Sequence, residues 1–212
     1  MATATKKKPK AGPAPVLDSG RNPQDFWAGK FGTEYTDRQK INFLDRVPFF
    51  QHILEETSAR AFLDVGCNAG WNLRALRHIS AEFEMSGVDI NHDALTVAAG
   101  HGFDVVNAPA AEIVETFGPE SAEMVITSGV LIHIAPQDLR TVMEAIVACS
   151  SHWVLCVEYE AQQEEAIDYR GHANRLWKRP FGQLYQELGL SLIETGRAQG
   201  YDDCTYWLLE KS

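Results

Sequence analysis

The stretch Ala61-Phe-Leu-Asp-Val-Gly-Cys-Asn-Ala-Gly-Trp71 constrains this chain more than any other. Ala61 to Val65 is mostly apolar, too short for a free-standing helix, and suited to a buried parallel strand. Gly66 and Gly70 bracket a tight turn, and a helix is expected from residue 71, with Leu73, Leu76 and Ile79 on one face. A strand, a glycine turn and a helix start make a recurrent binding device. Glycine lets a ligand approach the backbone, and the free N–H groups of the helix point at it. Asp64, inside the strand, needs partners, because an unpaired buried carboxylate is costly.

A second acidic strand end narrows the ligand. The run from Phe83 to Ile90 ends Gly-Val-Asp-Ile, which places Asp89 25 residues after Asp64. An acidic residue there, about 20 residues beyond a glycine turn, can accept hydrogen bonds from both ribose hydroxyls of a nucleoside. NAD and S-adenosylmethionine both carry that ribose. A dinucleotide fingerprint requires Gly-x-Gly-x-x-Gly, and Gly66-Cys67-Asn68-Ala69-Gly70 lacks the middle and the later glycine.

With this spelling the stretch resembles the class I S-adenosylmethionine-dependent methyltransferases. Those enzymes show an apolar run, Asp, an apolar residue, Gly-Cys or Gly-Ser, a small or polar residue, then x-Gly. Asn68 stands where many members have glycine. Strands are expected at 61–66, 84–90, 103–107, 122–128, 151–158, 190–196 and 204–210, and helices at 71–80, 92–100, 110–117, 136–149 and 179–188. This alternation predicts an α/β fold. It agrees with the Rossmann-like, seven-stranded, mostly parallel sheet of the resembled family, with helices on both faces and an antiparallel last strand.

The chain has 212 residues, 45% hydrophobic and 23% charged, which suits one globular domain plus a short extension. Three segments are expected: a basic, Pro/Ala-rich disordered leader over 1–22, a helical lid over 23–58, and the main domain over 59–212. In 37–56, read as a helix or a broken pair, Ile41, Phe43, Leu44, Val47, Phe50, Ile53 and Leu54 are expected inward, with Pro48 near a kink. No apolar run is long enough for a membrane span or a signal core. Cysteines 67, 149, 156 and 204 show no metal-like spacing, so reduced thiols in a cytoplasmic protein, with no metal site, are expected. Removing the charges of Lys6, Lys7, Lys8 and Lys10 from a net of −10 leaves −14. So acidic a body is a poor match for nucleic acid. A small-molecule substrate, and a monomer or homodimer, are the expectation.

The resemblance implies further site residues. The loop Asn107-Ala-Pro-Ala-Ala111 would lie along the adenine, with Pro109 and Ala110 as its apolar edge. Thr127-Ser-Gly-Val-Leu-Ile-His-Ile-Ala-Pro136 matches a second family pattern. Ser128 and Gly129 would face the amino-acid end of the cofactor. His133 is a base, a substrate ligand, or a core residue bonded to backbone. Gly66, Asn68, Gly70, Asp64, Asp89 and Ile90 complete the cofactor set. The strand end Val157-Glu-Tyr-Glu160 offers Glu158 and Tyr159, with His133, as catalytic candidates, or is a solvated strand end. Beyond it, Tyr169, Arg170, His172 and Arg175 fall in a basic loop that could capture an anionic substrate or pair with the domain's own acids.

The opening from Phe26 to Arg38, the segment Tyr169-Arg-Gly-His172 to Phe181 and the ending Asp203 to Lys211 are similar to the pseudaminic acid biosynthesis-associated methylases. This likeness spans about 23–212. By it, Trp27, Tyr35 and Arg38 would line or close the cofactor pocket, with Arg38 pairing with the cofactor's carboxylate or forming a surface salt bridge. The reading is methyl transfer from S-adenosylmethionine to O or N of a small polar metabolite such as a sugar, a nucleotide-sugar or a related natural-product intermediate. Transfer to an amino or guanidino group, a non-catalytic cofactor-binding module and an NAD-dependent oxidoreductase are the alternatives.

Overall fold

The computed structural model describes residues 23–211, so the expected leader over 1–22 lies outside the described residues. Two short helices, α1 (Pro23–Ala28) and α2 (Lys30–Arg38), meet at Gly29. A 3-10 turn (Phe43–Arg46) follows, and the Asn42 side chain caps it by accepting from the Leu44 N–H. It leads into α3 (Val47–Thr57), so the segment read as one helix or a broken pair is a helix end, a turn and a second helix. Pro48 makes no kink. It stands in the first turn of α3, where its missing N–H has no partner to lose. Phe50 and Ile53 are buried as expected, Phe49 joins them, and Leu44, expected inward, is 46% exposed.

The alternating part then runs β1 (Ala61–Val65), α4 (Trp71–Ile79), β2 (Glu84–Asp89), α5 (His92–Gly100) and β3 (Asp104–Asn107). A 3-10 turn (Ala110–Glu112) opens α6 (Ile113–Phe117), followed by β4 (Ala122–Ser128), a 3-10 turn (Leu131–His133), α7 (Pro136–Cys149) and β5 (Ser150–Glu158). The chain continues through β6 (Glu165–Tyr169), β7 (His172–Lys178), α8 (Phe181–Glu187), β8 (Ser191–Arg197) and β9 (Thr205–Glu210).

Seven strands form one sheet in the order β3-β2-β1-β4-β5-β9-β8. The first five pair in parallel, and β9 runs antiparallel to both β5 and β8. The sheet and its antiparallel end are those the sequence predicts. Alternate residues feed opposite cores. Leu63, Val125 and Val154 pack with α7 and α8, whereas Phe62, Ile126 and Leu155 pack with α3 and α4. Strand order reverses between β1 and β4, which opens a crevice at their carboxyl ends, the usual ligand position in such sheets.

The basic stretch read as a loop is a two-stranded hairpin, β6–β7. Tyr169 pairs with His172 across Arg170 and Gly171, whose φ values of 51° and 85° suit a tight two-residue hairpin turn. Among the described residues no helix is long and apolar enough to cross a membrane.

Candidate active site

The glycine turn closes on the end of β2. Gly66 has φ 72°, and a Cβ there would overlap the Val130 side chain. Its N–H and that of Cys67 both reach the Val88 carbonyl, at 2.7 and 3.0 Å. Asn68 also adopts a left-handed backbone, φ 49°, which Asn tolerates better than most side chains. Its N–H donates to Asp89 Oδ2 at 2.9 Å, and the Asn91 N–H donates to Oδ1 at 2.8 Å. Each carboxylate oxygen therefore holds a backbone donor, the Ile90 backbone also bonds the carboxylate, and lone pairs remain for a ligand. Burial raises the Asp89 pKa above the usual carboxylate range. Asn91 caps α5 through Ala94 and donates to the Trp27 carbonyl at 3.0 Å, which fixes α1 beside the same strand end.

Beneath the turn lies a buried polar hub. Asn72 Nδ2 donates to Asp64 Oδ1 at 3.0 Å and to Ser128 Oγ at 2.9 Å. Asn72 Oδ1 accepts from Arg46 Nη1 and from the Tyr201 hydroxyl, both at 2.7 Å. All four hydrogen-bonding positions of this amide are used. The Arg46 guanidinium also lies 4.1 Å from the centre of the Tyr201 ring. Burial pushes Asp64 up to about 7, against the opposing pull of Asn72 and Arg46.

A cavity of about 180 Å³ sits above this floor. Of the residues expected to hold a cofactor, Trp27, Tyr35, Gly66, Asn68, Asp89, Ile90, Pro109, Ala110, Ser128 and Gly129 line it, and His133 does as well. Three others lie off its wall. Asp64 is buried below it, and Gly70, with φ 76°, stands at the start of α4 as its N-cap. Arg38 makes the surface alternative, an i,i+4 ion pair with Glu34 at 3.6 Å with its side chain 43% exposed. The cation on the wall is instead Arg46, only 8% exposed. Sequence reasoning missed it, together with Asn72, Asn91 and Asp138, which belong to no spaced motif, and Trp71, which ends the glycine stretch without a role assigned to it. A buried arginine among inward-facing apolar residues was the one available signal.

His133 closes the 3-10 turn after β4. Its Nδ1 lies 2.6 Å from the Arg175 carbonyl, an acceptor only, so Nδ1 carries the proton and Nε2 keeps a lone pair. Burial lowers its pKa to about 4, so the ring is neutral at neutral pH. Trp27 and Tyr169 flank it, with ring centroids 4.4 and 5.0 Å away.

Glu158 is not a solvated strand end, and it does not line the cavity. It is fully buried, with Oε1 accepting from the Val130 and Leu131 N–H groups at 3.0 Å each and Oε2 from Ile132 at 3.4 Å. Burial raises it to about 7, opposed by those three donors and by Arg179. Arg179 grips the other side of the turn through the Leu131 and Ile134 carbonyls, at 2.9 and 3.0 Å. Tyr159 points elsewhere, bordering a separate polar hollow with Glu160, Lys178 and Arg197.

The hairpin's basic residues do not converge. Arg170 is exposed at the tip, with its guanidinium 5.8 Å from the Tyr169 ring centre. Arg175 is buried against Phe26, 5.1 Å from the ring centre. His172 packs between Phe26 and Phe31, at 4.9 and 5.5 Å. Tyr169 approaches the cavity wall through His133 and Trp27, and Arg175 reaches it only through its backbone carbonyl on His133.

Residues 62–151 match the family described as methyltransferase domain. This segment, from β1 to the start of β5, is similar to a methyltransferase domain. No curated protein matches it by sequence. Among solved structures it is similar to the 1,6-didemethyltoxoflavin-N1-methyltransferase of Burkholderia thailandensis, which holds its substrate and S-adenosylhomocysteine. That likeness has 15% identity over 94% of each chain and a TM-score of 0.70. It is also similar to the magnesium protoporphyrin IX methyltransferase of Synechocystis with bound S-adenosylmethionine, at 13% identity over 92% of this chain and 100% of that one, TM-score 0.64. A third, an S-adenosylmethionine-dependent methyltransferase of Archaeoglobus fulgidus, is 15% identical over 86% and 100%, with TM-score 0.63. These likenesses bear out the Rossmann-like methyltransferase fold, and the domain match agrees with the enzyme class read from the sequence.

The wall of the cavity suits S-adenosylmethionine. Asp89 offers a carboxylate at the strand end, and Ala108 to Ala111 give an apolar edge. Trp27 Nε1, Trp71 Nε1 and Arg46 Nε are buried donors with no acceptor within the described protein, all on wall residues, and they match a ligand rich in acceptors.

Proposed function

We propose that this methyltransferase domain binds S-adenosylmethionine and transfers its methyl group to an O or N atom of a small polar metabolite. The observation that carries the reading is the placement of Asp89. It stands against the glycine turn at the switch point of the sheet and borders the same cavity as His133. The bound cofactor supplies an electrophilic methyl group on a sulfonium. Asp89 would accept hydrogen bonds from the ribose hydroxyls, the loop 108–111 would pack on the adenine, and Arg46 would take the carboxylate that the sequence assigned to Arg38. Ser128 and Gly129 border the methionine end. His133 Nε2 receives the proton that leaves the acceptor as its O–H or N–H is methylated. The turn, lid and loop align the acceptor behind the methyl and exclude water, and positioning of this kind is worth roughly 7–11 kcal/mol.

The sequence likeness to the pseudaminic acid biosynthesis-associated methylases supports a sugar, a nucleotide-sugar or a related natural-product intermediate as acceptor. Transfer to nitrogen is the second reading. It draws on the toxoflavin-precursor enzyme, an N1-methyltransferase of the same fold. Calorimetric titration with S-adenosylmethionine and S-adenosylhomocysteine tests the cofactor. Saturable binding that weakens on Asp89→Ala is expected, and no binding of either ligand refutes the reading. A panel of hydroxyl and amine acceptors then separates O from N transfer.

A further inference from the structure

Asn68 occupies the one position of the turn where the chain departs from the glycine of the resembled pattern. A glycine would serve φ 49° at lower cost, so the side chain needs another reason. Asn68 Oδ1 accepts from the Ala69 N–H at 2.8 Å, which orients the amide and turns Nδ2 outward. Nδ2 then donates to Thr36 Oγ1, on α2, at 2.9 Å, across 32 residues of sequence. The Thr36 hydroxyl in turn donates a hydrogen bond to the Gly32 carbonyl at 3.2 Å. The Asn68 backbone N–H meanwhile rests on Asp89. A continuous path thus runs from Asp89 through Asn68 and Thr36 into the helix that covers the cavity. Gly32 packs so closely there that a Cβ would overlap the Trp27 carbonyl.

We infer that Asn68 is a latch: its side chain ties α2 to the glycine turn and sets how long the nucleoside cofactor stays under the lid. This rests on the cofactor reading above. Asn68 acts on retention through Thr36, and the Asn68 backbone serves the turn independently of that bond. Removing the latch from either side should therefore loosen α2 with the Asp89 contact kept.

The test is the dissociation rate of S-adenosylhomocysteine, measured by stopped-flow displacement on the full chain. Thr36→Val removes the acceptor and leaves the turn untouched. Asn68→Gly removes the donor and relaxes the backbone. Each is expected to speed release by roughly 2- to 12-fold, the range for one neutral hydrogen bond, and the double variant to be no faster than the faster single. Amide exchange over residues 30–38 of the complex should quicken in both variants. Release at the wild-type rate in Thr36→Val, or a double variant whose effect is the product of the singles, overturns the latch. A wild-type chain that binds no S-adenosylhomocysteine refutes the cofactor reading itself, and the latch with it.

Discussion

The Glu158 carboxylate takes the N–H groups of Val130, Leu131 and Ile132, and the next residue along that turn is His133. Glu158 therefore holds the turn that presents His133 to the cavity without bordering the cavity itself. Glu158→Ala leaves three buried donors unmet, at about 1–3 kcal/mol each, and is expected to lower stability by about 3 kcal/mol or more. Glu158→Gln keeps one acceptor oxygen and should fall between that variant and wild type. Urea midpoints measure both. An unchanged midpoint in Glu158→Ala, with a raised KM for the acceptor, would return Glu158 to the substrate.

Asp64 predicts a pH trend in stability. Its folded pKa of about 7 lies above its ordinary 3.8, so the native state binds the proton more tightly than the unfolded chain. Its contribution is then greatest below its ordinary value and is lost as pH rises toward 7. Asp64→Asn should flatten the pH dependence of the unfolding free energy across that window, most visibly at its upper end. Parallel curves for the two proteins would contradict the assignment.

His133 should govern turnover more than cofactor affinity. General bases contribute about 10²–10⁴-fold, so His133→Ala is expected to lower kcat by about 10² or more, with S-adenosylhomocysteine affinity little changed. Because burial holds the ring near 4, the acid limb of the rate profile should lie close to pH 4, well below the ordinary histidine range. A full-rate His133→Ala enzyme would remove the base from the mechanism.

Arg46 and Arg38 offer a paired test. Charge-assisted hydrogen bonds contribute about 1.5–3 kcal/mol, so Arg46→Leu should weaken S-adenosylhomocysteine binding by about tenfold or more. 5′-Methylthioadenosine, which lacks the amino-acid portion, should bind both proteins alike. Arg38→Leu loses an exposed pair with Glu34, worth about 0–1 kcal/mol, and a contact with the Phe31 ring, both away from the cavity wall, and should leave both affinities unaltered. The opposite ranking would restore the sequence assignment of Arg38.

The sheet and one wall of the cavity were legible because each rests on a local code. Val65-Gly66, Asp89 and Ser128-Gly129 stand at strand ends, and a ligand crevice lies at strand ends in this architecture. The hairpin was not legible. β6 is exposed on nearly every residue, so alternation never marks it, and its turn uses Arg170 where Asn or Gly would signal a hairpin. Arg46 and Glu158 were misjudged for a different reason. Both are charged groups whose partners come from distant segments, Asn72 for the first and the 130–132 backbone for the second. Sequence position carries no record of such pairings.

The Asn72 amide also dictates an order of assembly. Its carbonyl is shared by Arg46, 26 residues before Asn72, and by Tyr201, 129 residues after it. During synthesis the glycine turn and Asp89 emerge long before Tyr201 can arrive. A growing chain can thus pair its first strands while the base of the binding chamber still lacks its last hydroxyl. The fourth hydrogen bond of that amide closes only when the final hairpin of the main sheet has docked.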